Sequence, residues 1–486
     1  MYYYIKKKDL NQDQLKEILM SDGVDFMISN KNMTIENIKL IGESVVGKTL
    51  GEISNKIINV NKRNKGSSGM MIEEEVFGYH NNSNPEPDFF DAKTELKFTP
   101  IKKNNNGTFS AKERLVLNII NYMEEYKKDF YSSSFWMKNQ RLFILFYLWE
   151  INLEQKDYRV VMSLLHEYPE EDLLIIIQDW QKIVEKIRNG KAHELSESDT
   201  LYLGACQKGK NRHSLRKQPF SSVLAMQRAF SLKNSYMTQL VRMKYMEVDS
   251  EKIVKKSELE NKSFEEIIYA RLERFIGLSQ NDLKIRFNIQ STAKNINDML
   301  LSRMLGIKGR ISNTSEFIKA NIITKTIRVE ANGRVVESMS FPYFLYKDMY
   351  NEVWENSTLR NHFETEKYMF VIFKKQNDEY IFSGVMFWNM PVTILDSKVK
   401  EVWEKTKNVI ITGDIIKSIS EKGIVHTNFP TSTKSYPIVH VRPHGTNKND
   451  KCALPVKEIH YGYLEFTKHC FWLTNKFVEE IIKSRL

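Results

Sequence analysis

The longest apolar run is Leu142-Phe143-Ile144-Leu145-Phe146-Tyr147-Leu148-Trp149, bounded by polar residues on both sides. It falls far short of the ~20 residues that span a bilayer. It reads as a buried strand. Leu115 to Ile120 predicts a second strand. From Asp172 to Arg188 an apolar start passes into helical spacing at Trp180, Ile183, Val184 and Ile187, with Asn189-Gly190 as the stop. The acidic stretch Glu167-Tyr168-Pro169-Glu170-Glu171-Asp172 reads as a turn and helix start rather than a metal cluster, because acidic side chains favour a helix N-terminus. Glu95-Leu96-Lys97 predicts a strand that carries Glu95 and Lys97 on one face and turns Leu96 to the core. Helices, a mixed sheet, a further helix and more strands make the fold class α/β (α+β).

The two halves of the chain repeat one another. Asp88-Phe89-Phe90-Asp91-Ala92-Lys93-Thr94-Glu95-Leu96-Lys97 aligns without a gap on Glu316-Phe317-Ile318-Lys319-Ala320-Asn321-Ile322-Ile323-Thr324-Lys325. The offset of 228 also places Gly78 on Gly306. Leu142-Phe143-Ile144-Leu145-Phe146 matches Met369-Phe370-Val371-Ile372-Phe373. Ala229-Phe230-Ser231-Leu232-Lys233-Asn234 matches Cys470-Phe471-Trp472-Leu473-Thr474-Asn475 at an offset of 241, so second-half loops carry about 13 extra residues. The expected organisation is a first domain over 1–248, a charged, apolar-poor linker over 249–262, and a second domain over 263–486. At the aligned offset Glu95 becomes Ile323, which cannot ligate a metal, whereas Lys97 becomes Lys325. One half is expected to catalyse and the other to bind.

Composition narrows the function. A chain of 486 residues with 41% hydrophobic and 12% aromatic content can bury several real cores, which excludes a disordered chain. The start Met1-Tyr2-Tyr3-Tyr4-Ile5-Lys6 lacks the pattern of a secretory signal. Three cysteines, Cys206, Cys452 and Cys470, lack the paired spacing of disulfides or a zinc site, so a reducing cytoplasm and no membrane are expected. The net charge of +11 favours a polyanionic partner. Lys208, Lys210, Arg212, His213, Arg216 and Lys217 crowd one segment that also holds Gly209 and Asn211, the composition of a flexible basic loop.

The candidate chemistry is Asp88, Glu95 and Lys97. Asp88, seven residues before Glu95, can return to the strand face that carries Glu95 and Lys97. Two carboxylates and an ammonium at one point suit phosphodiester hydrolysis: hard oxygen ligands for Mg²⁺, and a cation beside the attacking water or the phosphate. Competing sites carry less. Cys206 has no His/Asp partner pattern, His440 and His444 lack metal partners at suitable spacing, and Trp180 and Trp472 are expected in cores.

Asp88 and Thr94-Glu95-Leu96-Lys97-Phe98-Thr99-Pro100 resemble the active-site strand of MutH, the mismatch-repair endonuclease that cuts at GATC. The two-half layout is similar to the Sau-type GATC-specific type II restriction endonucleases. Further matching motifs are Lys65-Gly66-Ser67-Ser68-Gly69, Glu74-Glu75-Val76-Phe77-Gly78, Ser110 to Tyr122, Gly190 to Glu197, Gln227 to Lys233 and His440-Val441-Arg442-Pro443-His444, in family order from about Leu40 to the C-terminus.

The resemblance implies two tandem restriction-endonuclease-like (MutH-like) domains. Asp88, Glu95 and the main-chain carbonyl of Leu96 would bind Mg²⁺, and Lys97 would position or help deprotonate water. Glu74 would be the helical acid by its spacing from Asp88 and Gly78, although counting forward from Gly69 gives Glu73. Lys138 would stand near the scissile phosphate; a solvated strand-end lysine is the plain alternative. Lys208, Lys210, Arg212, Arg216, Lys217, Arg228 and Lys233 in the first half, with Arg442 and His444 in the second, would contact DNA. Where the second half keeps Arg442-Pro443, the first has Cys206-Gln207. The implied activity is Mg²⁺-dependent cleavage of double-stranded DNA at 5′-GATC-3′, before the G, leaving 5′ overhangs. The second half would bind another site as an effector, with DNA looping or self-association. The alternatives are a MutH-like nicking endonuclease and a non-catalytic DNA-binding protein.

Overall fold

Strand β1 (Glu95–Lys103) and β4 (Arg141–Leu148) run parallel at the centre of a four-stranded sheet of order β2-β1-β4-β5. Here β2 is Phe109–Ala111 and β5 is Arg159–Glu167, each antiparallel to its neighbour. Leu142 to Phe146 are all buried, because both faces of β4 are covered. One cover is helix Ile35–Ser44, capped by the Thr34 hydroxyl, which accepts from the Asn37 N–H at 3.2 Å. A Cβ on its Gly42 would come 2.3 Å from the Phe143 ring, so helix and strand touch through a glycine. Ile38, Ile41, Phe77, Phe89, Leu96, Phe143 and Leu145 form one core on this side.

A second sheet, β3-β9-β6, joins β3 (Leu115–Ile119), β6 (Leu203–Gln207) and β9 (Arg228–Leu232), all antiparallel. A ribbon of β7 (Leu215–Gln218) and β8 (Ser221–Met226) lies between β6 and β9 in the chain. Helix Glu170–Arg188 ends, as expected, at Gly190 with φ +67°. A Cβ there would lie 2.7 Å from the carbonyl oxygen of Phe220, so the position requires glycine twice over.

The computed structural model describes residues 33–54, 67–78, 84–209, 214–246, 250–291, 293, 295–419, 421, 425–447 and 449–485. Within it the chain divides into two units, Met1–His193 with Tyr202–Asp249, and Glu194–Leu201 with Ser250–Leu486.

In the second unit β10 (Ile322–Val329) runs parallel to β12 (Lys367–Gln376), which pairs antiparallel with β13 (Glu379–Trp388). A second sheet has the order β11-β19-β16, from β11 (Met339–Tyr343), β16 (Val439–Pro443) and β19 (His469–Leu473). Short ribbons β14-β15 (Lys417–Ile419, Val425–Thr427) and β17-β18 (Lys451–Ala453, Glu465–Thr467) complete the strands.

This element order repeats that of the first unit, and backbone conformation marks the same positions. Lys93 and Asn321, each two residues before the strand position of Glu95 or Ile323, are left-handed at φ +48° and +54°. Gly78 and Gly306, also 228 apart, are both at positive φ. Glu95 pairs with Leu142 and Ile323 with Tyr368. Leu142 therefore matches Tyr368, one position earlier than the Met369 suggested by hydrophobicity. A strand buried on both faces has no alternation to pin its register in sequence.

The 249–262 segment is not a free linker. From Ser250 onward it packs on the second unit: Ile253 and Val254 are buried, and their N–H groups donate to the Glu316 carboxylate at 2.9–3.1 Å. Arg271 ties the same segment down through the Ile253 carbonyl and the Glu258 carboxylate. Its anchors are two buried main-chain N–H groups, one main-chain carbonyl and the Glu258 carboxylate, which a count of apolar residues does not see.

Candidate active site

Residues 88–95 form a tight reversal that returns Asp88 to the start of β1. Phe89 and Thr94 exchange both backbone hydrogen bonds, at 2.9 and 3.1 Å, around left-handed Lys93. Phe89 is buried beneath the turn. Arg141, which opens β4, donates to the Ala92 carbonyl at 2.8 Å and holds the turn from outside. Sequence reasoning missed this arginine, whose signal was its place at the entrance of the buried run.

The expected groups converge here. The Leu96 N–H donates to Asp88 Oδ2 at 2.9 Å, and the Asp88 N–H to Glu95 Oε2 at 3.2 Å. Lys97 Nζ lies 2.6 Å from Glu95 Oε1, and Lys138 Nζ 3.6 Å from the same oxygen. Lys138 also donates to the Asn84 carbonyl at 3.0 Å. It is therefore a member of the cluster rather than a solvated strand-end charge. Glu95 is 2% exposed. Its burial pushes its pKa up against the pull of Lys97. For Lys97, burial works against the ammonium, but Glu95 and Asp88 outweigh it and hold the pKa high.

The helical acid differs from the expectation. Glu73, not Glu74, faces the cluster: its pKa is pushed up to about 7 by burial and then by the charge of Asp88, with Lys97, Glu95 and Lys138 also acting on it. Glu74 is exposed. The cause is local. Ile72–Val76 is a π-helical turn, whose wider winding changes which of three consecutive glutamates turns inward.

Among the described residues no three His, Cys, Asp or Glu side chains close on one point as a metal cage. What the site offers is the buried Glu95 and half-buried Asp88 carboxylates with Glu73 at their edge, the neighbouring main chain of Leu96, and two lysines. That donor set is hard and anionic, and it fits a divalent cation that keeps part of its water.

The expected DNA-contacting residues divide. Lys208, Arg216 and Lys217 are exposed around the root of the basic loop, where the Lys208 N–H donates to the Gln227 carbonyl at 2.8 Å. Lys210 and Arg212 lie outside the described residues. Arg228 and Lys233 are corrected by the structure: both are buried, at 2% and 1% exposure, on and just after central strand β9. Arg228 donates to the Ala205 carbonyl at 2.6 Å and is a core group, not a surface contact. In the second unit Arg442 and His444 are exposed, and the Arg442 guanidinium lies 5.2 Å from the ring centre of Trp472. Trp472 is accordingly half-buried rather than a core residue, whereas Trp180 is buried. Cys206 is buried, and His440 is held by the Thr431 carbonyl.

Residues 77–179 match the family model of the DNA mismatch repair enzyme MutH. The chain is similar to the type II restriction enzyme Sau3AI of Staphylococcus aureus, with 34% identity over 87% of this chain and 94% of that protein. It is also similar to the mismatch repair protein MutH of Shewanella woodyi, with 27% identity over 37% of this chain and 78% of that protein. MutH of Shewanella amazonensis is 29% identical over 28% of this chain and 58% of that protein. No helix among the described residues is long and apolar enough to cross a membrane. With a MutH family match over the segment that carries β1 and a relative matched along nearly its whole length, the chain belongs to the Sau3AI family of type II restriction enzymes, MutH-related endonucleases that act on DNA.

Proposed function

We propose that the protein cleaves double-stranded DNA at 5′-GATC-3′ with Mg²⁺, cutting before the G to leave 5′ overhangs, and that its second unit binds a further GATC site as an effector. The observation that carries this reading is the convergence of Asp88, Glu95, Lys97 and Lys138 at one strand entrance of a chain in this family. Enzymes of this kind are generally metal-dependent. The GATC site and the cut position follow from the resemblance to MutH and the Sau-type enzymes.

Asp88, Glu95 and the Leu96 carbonyl would hold the cation. When bound, it supplies Lewis-acid stabilisation of the phosphate and acidifies coordinated water. The Lys97 ammonium, beside Glu95, is placed to orient the attacking water or bind a phosphate oxygen. Lys138 adds a second positive charge where negative charge builds on the phosphate. Glu73, with a pKa near neutrality, can hold or release a proton at the edge of the cluster. Around the second unit, Arg442 stacked on Trp472 is rigidified for reading a guanine edge.

The test is incubation of plasmids carrying no, one or two GATC sites with Mg²⁺, followed by end sequencing. Cuts before G at every site, none in the site-free plasmid, and faster cutting per site on two-site DNA are expected. Cuts elsewhere would refute the specificity. Equal per-site rates on one-site and two-site plasmids, unaltered by short GATC duplexes in trans, would refute the effector role.

A further inference from the structure

The site position of the second unit keeps its lysine and loses its acids. Ile323 stands where Glu95 does and packs against the hydrophobic core. At the Glu73 position is Leu301, fully buried, and at the Glu74 position is Ser302. Ser302 Oγ is occupied, donating to the Asp298 carbonyl and accepting from the Ile311 N–H. Glu316, in place of Asp88, spends its carboxylate on the Ile253 and Val254 N–H groups. Neither carboxylate ligand of the first unit survives in working form.

Lys325 remains, on the same strand face as Ile323, as Lys97 shares a face with Glu95. It is half-buried, and among the described residues its ammonium makes no ion pair; Nζ reaches only the Ser340 carbonyl, at 3.4 Å. The carboxylate whose charge reaches it, Glu366, is taken by His362 Nδ1 at 2.6 Å and by the Tyr368 hydroxyl. Burial pushes the Lys325 pKa down, and Glu366 opposes this only in part. An ammonium drawn partly out of water with no counter-ion weakens a fold. An anion arriving at Nζ would relieve that cost.

We infer that Lys325 binds a backbone phosphate of the effector DNA directly, at the place where the first unit holds the phosphate it cleaves. The inference rests on the reading of the second unit as a DNA effector. It adds a phosphate-binding residue with a defined position on the duplex: the phosphate on the 5′ side of the G. The second unit thus keeps the docking geometry of a cutting site and replaces metal-bridged contact with a single charge-assisted hydrogen bond.

The test uses the full chain, a single-site plasmid and short GATC duplexes added in trans. Wild type should be stimulated by the duplex. Lys325→Met should need about ten-fold more duplex for half-stimulation, reach the same maximal rate, and melt no lower than wild type without DNA. A lysine with only a packing role would lower the melting temperature and leave the half-point alone. Duplex carrying a neutral methylphosphonate at the phosphate 5′ to G should weaken stimulation of wild type to a similar degree. It should add little in Lys325→Met, and Lys325→Arg should retain most of the response. An unchanged half-point in Lys325→Met, or additive effects of the two neutralisations, would overturn the assignment while leaving the effector reading intact. Absence of stimulation in wild type would overturn the effector reading itself, and this assignment with it.

Discussion

Replacing Glu73 by Gln separates the two candidate helical acids and reports on the electrostatics of the site. Burial and the Asp88 charge raise the Glu73 pKa from 4.5 to about 7. A raised pKa means that the folded protein binds the proton more tightly than the unfolded chain. Stability is therefore full below about pH 4.5 and falls as pH rises through 7, where the carboxylate is forced to ionise inside the cluster. A literal conversion of that shift gives about 3 kcal/mol, and the partial solvent contact of this side chain trims it to about 1–2 kcal/mol. Without metal, Glu73→Gln should then melt about 3–6 °C higher than wild type at pH 8 and close to wild type at pH 4.5. With Mg²⁺ the same change should lower cleavage by at least about ten-fold. Glu74→Gln, at an exposed side chain, should leave stability within about 0.5 kcal/mol and cutting nearly intact. Differential scanning fluorimetry with chelator across pH, paired with plasmid cleavage, reads both. Loss of cutting in Glu74→Gln with full activity in Glu73→Gln would refute the reasoning.

Glu95→Ala should reduce cleavage by orders of magnitude yet preserve Ca²⁺-supported binding to a GATC duplex in a gel shift; comparable cutting would remove Glu95 from the metal site. Neutralising Lys208 and Lys217 together should flatten the salt dependence of DNA binding by roughly one unit of slope for each phosphate no longer neutralised, as read by fluorescence anisotropy. Arg228→Ala should instead cost about 3 kcal/mol of stability in chemical unfolding, because it vacates a buried site and leaves the Ala205 carbonyl without its donor. A normal melting point with a reduced salt slope would return Arg228 to the DNA surface.

Much of the site was legible because it depends on short-range geometry. The alternation of Glu95 and Lys97, and a turn short enough to bring Asp88 back, are fixed by strand periodicity. The buried run of β4 and the helix over Glu170–Arg188 followed from apolar spacing and end signals. Other readings failed for identifiable reasons. The π-turn at Ile72–Val76 altered which glutamate faces inward, whereas counting assumed regular winding. The resemblance implied DNA contacts at Arg228 and Lys233, because a motif match does not tell a buried residue of a central strand from an exposed one. Between Leu142 and Tyr368 the register slipped by one position because nearly every residue in those runs is apolar or aromatic. The charges of 249–262 suggested solvent, yet the segment is held by Glu316 at the Ile253 and Val254 N–H groups and by Arg271 at the Ile253 carbonyl and Glu258.

The anchoring of Glu316 closes a path in the history of the second unit. An isoleucine at 323 could revert to glutamate by few mutational steps, but that alone would not rebuild a cutting site. The second acid now pins Ile253 and Val254, and freeing it would leave two buried N–H groups without acceptors. Freeing Glu316 therefore costs stability before any hydrolytic gain appears. The duplicated copy works as a ratchet: once its carboxylate became a tether for the segment entering the unit, selection could refine how it grips DNA but could not readily hand back its ability to cut.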